Sequence, residues 1–194
     1  MESIKTTIIQ SFNELVQTIQ GIEKQFPEQE HYITFVSFNG LGQKLLNFIE
    51  PTSKLKQIDD NTSKPNSTTP LFNAMDFSIN KLKKSLQELT DYNVLVTILT
   101  DGEENASKEF SGNDIAKMVE ELKQNRWTFT YIGTDHEVEK IASSLSINNT
   151  MIFKKSESGI KDMFMKEKIA RTKYSLKIRL DEDTSSNYFD DTDD

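Results

Sequence analysis

The stretch Asn93-Val94-Leu95-Val96-Thr97-Ile98-Leu99-Thr100-Asp101-Gly102-Glu103-Glu104-Asn105 decides the fold. Its first half is an apolar run broken by a single Thr, the pattern of a strand buried on both faces of a parallel sheet. Its second half turns polar around a glycine, the pattern of a turn at that strand's carboxyl end. Downstream, Ile115, Met118, Val119 and Leu122 recur at helical spacing over about 113–125. A second strand, Trp127 to Ile132, ends at Gly133. A helix over about 136–145, a short strand Met151-Ile152-Phe153 and a helix over about 157–170 follow. Residues 174–180 suit a small extra strand or an extended end.

Upstream, Thr69-Pro70 opens a helix whose inner stripe is Leu71, Ala74, Met75, Ser78, Leu82 and Leu86. Proline is well placed in a first turn, where its missing N–H costs nothing. Residues 51–68 are polar and read as a loop with one helical turn near Leu55. Tyr32 to Phe38 is β-branched and aromatic, Asn39-Gly40 is a tight-turn dipeptide, and Lys44 to Ile49 forms the returning arm of a hairpin. Residues 3–22 carry Ile4, Ile8, Phe12, Leu15, Ile19 and Ile22 on one helical stripe. Strand–helix alternation of this kind predicts an α/β doubly wound, mostly parallel sheet with one antiparallel edge strand and helices on both faces. One feature departs from that plan. Such folds open with a strand, and this chain opens with the helix.

Composition narrows the function classes. The 194 residues suit one domain, and the sequence predicts a body over 1–178 with an acidic, disordered tail over 179–194. The formal charge of -8 is unevenly spread: residues 181–194 hold seven acids and no Lys or Arg, leaving 24 acids against 23 bases elsewhere. A near-neutral body without a dense basic patch argues against nucleic-acid binding. No apolar run reaches the roughly 20 residues of a membrane helix, and the first residues lack the basic and apolar parts of a secretory signal. With no Cys, disulfides, thiol catalysis and thiolate zinc sites are excluded, and a cytoplasmic setting fits.

In an open parallel sheet, ligands sit at the carboxyl ends of the strands. Asp101 follows such an end, and Thr69 stands at the start of the second helix. Together they offer hard oxygen atoms, which suit Mg²⁺, Mn²⁺ or Ca²⁺. Each has a plainer reading as well: Asp101 as an Asx turn residue, Thr69 as a helix N-cap. Glu103 and Glu104 could tune the charge around a cation, although a solvated loop describes them better. His31 and His136 read as surface or loop histidines, and Trp127, Phe129 and Tyr131 as packing residues. Gly40-Leu41-Gly42 lacks the third glycine and the strand-to-helix setting of a dinucleotide site.

Thr68-Thr69-Pro70-Leu71-Phe72-Asn73-Ala74 resembles the Thr-Pro-Leu-x-x-Ala element of von Willebrand factor A (VWA) domains. Val96 to Ser107 is similar to that family's buried strand and Thr-Asp-Gly turn, and its long form, with Glu104-Asn105-Ala106-Ser107, resembles an intracellular bacterial and phage branch. Phe129 to Gly133 resembles the next strand, and Ile4 with Phe12-Asn13-Glu14-Leu15 the first helix; the likeness runs to about residue 165. The resemblance implies a metal-ion-dependent adhesion site, with Thr69 as the second-loop Thr and Asp101 as the third-loop Asp, holding Mg²⁺ (or Mn²⁺ or Ca²⁺) and a partner's carboxylate.

The first-loop Asp-x-Ser-x-Ser of that family, and the central strand before it, have no counterpart in this sequence. Ser3 and Ser11 lie on the predicted first helix and do not replace the loop. The chain starts at the Met that follows the loop in close family members, so a truncated product or a start assigned at an internal Met is expected. Two ligands, one of them acting through water, imply weak or absent metal binding. Direct pairing of 32–38 with 93–100 would partly heal the sheet. The function expected is a protein-interaction module that meets an acidic side chain of a protein partner, with no membrane or nucleic acid involved. A metal-dependent hydrolase using Asp101 is the enzymatic alternative, and a non-functional remnant is the third.

Overall fold

A computed structural model describes residues 5–39, 41–59, 68–102, 104–134 and 137–190. Along the chain lie α1 (Lys5–Gln25), β1 (Tyr32–Asn39), β2 (Gly42–Pro51), a 3-10 turn (Thr52–Lys54), α2 (Leu71–Leu86), β3 (Val94–Leu99), α3 (Gly112–Lys123), β4 (Trp127–Gly133), α4 (Val138–Ser144), β5 (Asn149–Ile152) and α5 (Glu157–Arg179). The α/β order read from the sequence is the order observed. None of these helices is long and apolar enough to cross a membrane.

Strands β3, β4 and β5 form a parallel sheet with β4 in the middle, in register from Val94 opposite Trp127 to Leu99 opposite Ile132. Every residue of β4 is buried. Alternation along the strands divides the core into two layers. Trp127, Phe129 and Tyr131 join Val94 and Ile98 on one face, where α2, α3 and α4 cover them through Leu71, Met75, Ile79, Ile115, Val119 and Val138. Ile132 and Met151 face the other way, against Ile160 and Met163 of α5 and Ile8 of α1.

Strands β1 and β2 form a separate antiparallel pair. The expected pairing of β1 with β3 is not made. Consequently β3 departs from the fully buried strand its composition predicts: Val94 and Ile98 are buried, Leu95, Val96 and Leu99 are half-buried, and Thr97 is exposed. Among the described residues β3 has one neighbouring strand, so it stands at the margin of its sheet, where the covering layers leave part of it open to solvent. The single sheet expected is thus seen as a three-stranded parallel sheet and a two-stranded antiparallel one, an α/β arrangement consistent with a VWA-like fold that lacks a strand.

The carboxyl-terminal region also departs from its reading. Helix α5 runs to Arg179 instead of ending near 170, so 174–180 is helical and forms no strand. Its buried seam is Ile160, Met163, Glu167, Ala170 and Tyr174, spaced by threes and fours. The seam was masked by Glu167, a charge at 1% exposure whose carboxylate accepts from Arg171 and from the Tyr188 hydroxyl, the latter at 2.9 Å. The segment expected to be a disordered tail folds back over β4 and β5 through Asp190. Thr184 and Tyr188 are buried. The Thr128 hydroxyl donates to the Thr184 carbonyl (2.8 Å), and the Asn149 side chain donates to the Ser185 carbonyl (3.0 Å) and accepts from the Tyr188 amide (3.0 Å). Residues 191–194 of that tail lie outside the described residues.

Candidate functional site

The site is built where β3 ends. The Thr100 amide donates to the Ile132 carbonyl at 3.1 Å, carrying the parallel ladder one residue past the strand. The chain then turns: the Thr100 hydroxyl donates to the Gly102 carbonyl (2.9 Å) and accepts from the Gly102 amide (3.2 Å). This knot leaves Asp101 at the lip of the sheet. Gly102 lies so close to the second loop that a Cβ there would stand 2.9 Å from Thr69 Oγ1. Thr69 and Asp101 therefore share one end of the molecule.

The two loops are bonded to each other. The Thr69 amide donates to Asn105 Oδ1 (2.9 Å), and the Asn105 amide to the Thr69 carbonyl (3.3 Å). The Glu104 carboxylate accepts from the amides of Phe72 (2.9 Å), Ala106 (2.8 Å) and Ser107 (2.7 Å) and from the Ser107 hydroxyl (2.7 Å). Ser107 Oγ in turn accepts from the Asn73 amide at 3.2 Å. The first free N–H groups of α2 are thus capped by side chains from the β3–α3 loop, where a carboxylate also complements the helix dipole.

Two plainer readings from the sequence are corrected by these contacts. Thr69 is not the N-cap of α2; Pro70 holds that position and supplies no side-chain cap. Glu104 is not a solvated loop residue but the staple between the loops. Burial pushes its carboxyl up, and the hydrogen bonds from Ser107, Phe72 and Ala106 outweigh that, holding it below the usual range. Glu103 and His136 lie outside the described residues. His31 is half-buried rather than on the surface; burial lowers its pKa, with Glu23 pulling it up and Arg171 pushing it down. Trp127, Phe129 and Tyr131 are core residues, each 1% exposed.

Sequence reading missed Lys155. Its ammonium reaches from beyond β5 to Asp101 Oδ2 at 2.5 Å. Burial alone would raise the Asp101 carboxyl, but hydrogen bonds and charges, the Lys155 bond first among them, bring it below the usual carboxylate range. Lys155 is raised in return, chiefly by the same bond. The donors fit a hard cation in kind, a hydroxyl and an anionic carboxylate at one lip. They are few in number: among the described residues no group of three or more His, Asp or Glu side chains could hold a metal. Nothing local in the sequence signals Lys155, because the fold alone brings the β5 end beside the β3 end.

A comparison with curated proteins gives no match. The family model for the von Willebrand factor type A domain matches residues 5–166, which takes in both sheets, the first four helices and most of the site-bearing loops' supports. With that match spanning most of the chain, and with Thr69 and the Asp101 turn at one lip of an α/β sheet, the chain belongs to the von Willebrand factor type A domain family.

Proposed function

We infer that this chain serves, as domains of its family do in general, as a protein-interaction module. We propose that this chain engages a protein partner at the lip formed by Thr69 and Asp101, with a divalent cation (Mg²⁺, Mn²⁺ or Ca²⁺) weakly held there and an acidic side chain of the partner completing its shell. The observation that carries the reading is the close approach of the Thr69 hydroxyl to the Asp101-Gly102 turn. When bound, the cation supplies a positive centre that a carboxylate can ligate directly. The protein's part is to hold two oxygens in place through Glu104 and Asn105. Lys155 neutralises Asp101 in the meantime, and a cation must compete with that ammonium for the carboxylate.

Mn²⁺ titration followed by thermal unfolding tests this. A saturable rise in the midpoint is expected, reduced in Thr69→Ala and lost in Asp101→Ala. No rise at millimolar metal overturns the cation reading. The hydrolase alternative needs a nucleophile and a general base around Asp101. Phosphatase or esterase activity abolished by Asp101→Ala would establish it instead.

A further inference from the structure

Helix α5 has a second row of side chains besides its buried seam. The inner seam is Ile160, Met163, Glu167, Ala170 and Tyr174. The outer row is Met165, Ile169, Thr172, Leu176 and, at the C-cap, Leu180. With roughly 3.6 residues per turn, its steps of four and three keep it in one line, about half a turn round from the seam. Met165 is 56% exposed, Leu176 44% and Leu180 55%, while Ile169 and Thr172 are half-buried. Single apolar residues at a surface need no explanation; a row of them about 22 Å long, at 1.5 Å per residue, does.

The borders of this row are lysines. Lys161 and Lys168 lie along one side, Lys166 and Lys173 along the other. These positions meet a neighbour's charges when two helices pack along an apolar seam, and their sign selects the neighbour. Asp162 stands at the amino end of the row and Asp181 just past its carboxyl end; between them the acid is Glu167, which is buried on the inner seam. Lys161 pairs with Glu157 at 2.7 Å, but both side chains are mostly exposed. Such a pair is worth little, so Lys161 can turn to another acid. A second copy of this chain does not suit the surface. Whether two α5 helices ran parallel or antiparallel, lysine would face lysine across both borders.

We propose that the outer face of α5 docks an amphipathic helix of a partner protein, about four turns long, whose own apolar row is bordered by Glu and Asp. Contact along the row supplies affinity, and the lysine borders set the choice of partner. The surface uses neither Thr69, Asp101 nor a cation, so it stands apart from the cation reading.

The probe is a synthetic helix-forming peptide of about 20 residues with a leucine row bordered by glutamates, fluorescently labelled and titrated with the full chain. A control peptide has lysines in place of the glutamates. EDTA in the buffer removes any cation at the lip, so failure here and failure of the cation reading are told apart. The glutamate peptide should bind saturably, at least about tenfold more tightly than the lysine peptide, and more weakly as salt rises. Leu176→Asp, at an exposed position, should keep its far-UV circular dichroism and lose binding. Lys161→Glu combined with Lys168→Glu should erase the preference between the peptides. The proposal is overturned if the glutamate peptide shows no binding at about 1 mM, if the two peptides bind alike, or if Leu176→Asp binds like the parent. It is also overturned if phosphatidylserine vesicles capture the chain through Leu176, which marks a membrane surface, or if sedimentation shows a dimer that Leu176→Asp dissociates, which marks a second copy.

Discussion

Glu104 belongs to no helix or strand, yet its carboxylate takes four hydrogen bonds and joins the β3–α3 loop to the start of α2. Hydrogen bonds to a charged group are worth about 1.5–3 kcal/mol each when their loss strands buried partners. Here the amides of Ala106 and Ser107 can turn to water, so Glu104→Ala is expected to cost about 2–3 kcal/mol in total. Urea unfolding measures it, and a loss under about 0.5 kcal/mol would show the loops to be held by packing alone. Thr69 and Asp101 were legible in the sequence because each sits in a short, ordered run of residues, Thr69-Pro70-Leu71 and Thr100-Asp101-Gly102. Glu104 and Lys155 were not, because their partners lie far along the chain. A glutamate beside a turn looks the same in sequence whether it faces water or closes a helix end.

Among the elements, α3 shows what local chemistry can dictate. Ser111 Oγ accepts from the Asp114 amide at 3.3 Å, and Asp114 Oδ2 accepts from the Ser111 amide at 2.9 Å, a reciprocal capping box. Ser111→Ala is expected to lower stability by about 1 kcal/mol, read from the urea midpoint, with Ser111→Asp recovering most of it. The face and approximate span of α3 were readable from the apolar period of Ile115, Met118, Val119 and Leu122 alone, and the cap agrees with it. Helix α5 was readable only to its middle, because Glu167 occupies a core position and an ionised side chain reads as a surface one. Strand β3 was placed correctly but its burial was not, because exposure of Thr97 depends on a neighbour that no residue within the strand encodes.

At the scale of the whole molecule, the carboxyl-terminal strap is part of the fold. The Tyr188 hydroxyl donates to the buried Glu167, which is paired with the half-buried Arg171. Tyr188→Phe removes that donor and leaves a buried carboxylate short of one partner, an expected cost of about 1–3 kcal/mol, while Glu167→Gln in the same background should recover part of it; a thermal melt of the two variants distinguishes them. The strap also has an acid limb. The Ser186 and Ser185 hydroxyls and the Ser185 amide hold the Asp183 carboxyl at about 2, below its ordinary 3.8. A depressed folded-state pKa means the strap gains from the ionised form above 3.8 and loses that gain as pH falls toward about 2. Carbon NMR of Asp183 should show the low titration, and Asp183→Asn should flatten the acid limb over that window. Composition suggested disorder here because seven acids dominate the last residues; the anchors are Thr184 and Tyr188, two residues that an average conceals.

The division of the strands into two sheets has a mechanical side. Within each sheet, hydrogen bonds in register must shear together, so each resists load as a unit. Between the sheets, among the described residues, side chains carry the contacts, those of α1 and α2 among them, and such contacts slide past one another a little at a time. The seam between the two sheets is therefore expected to yield to load before either ladder does.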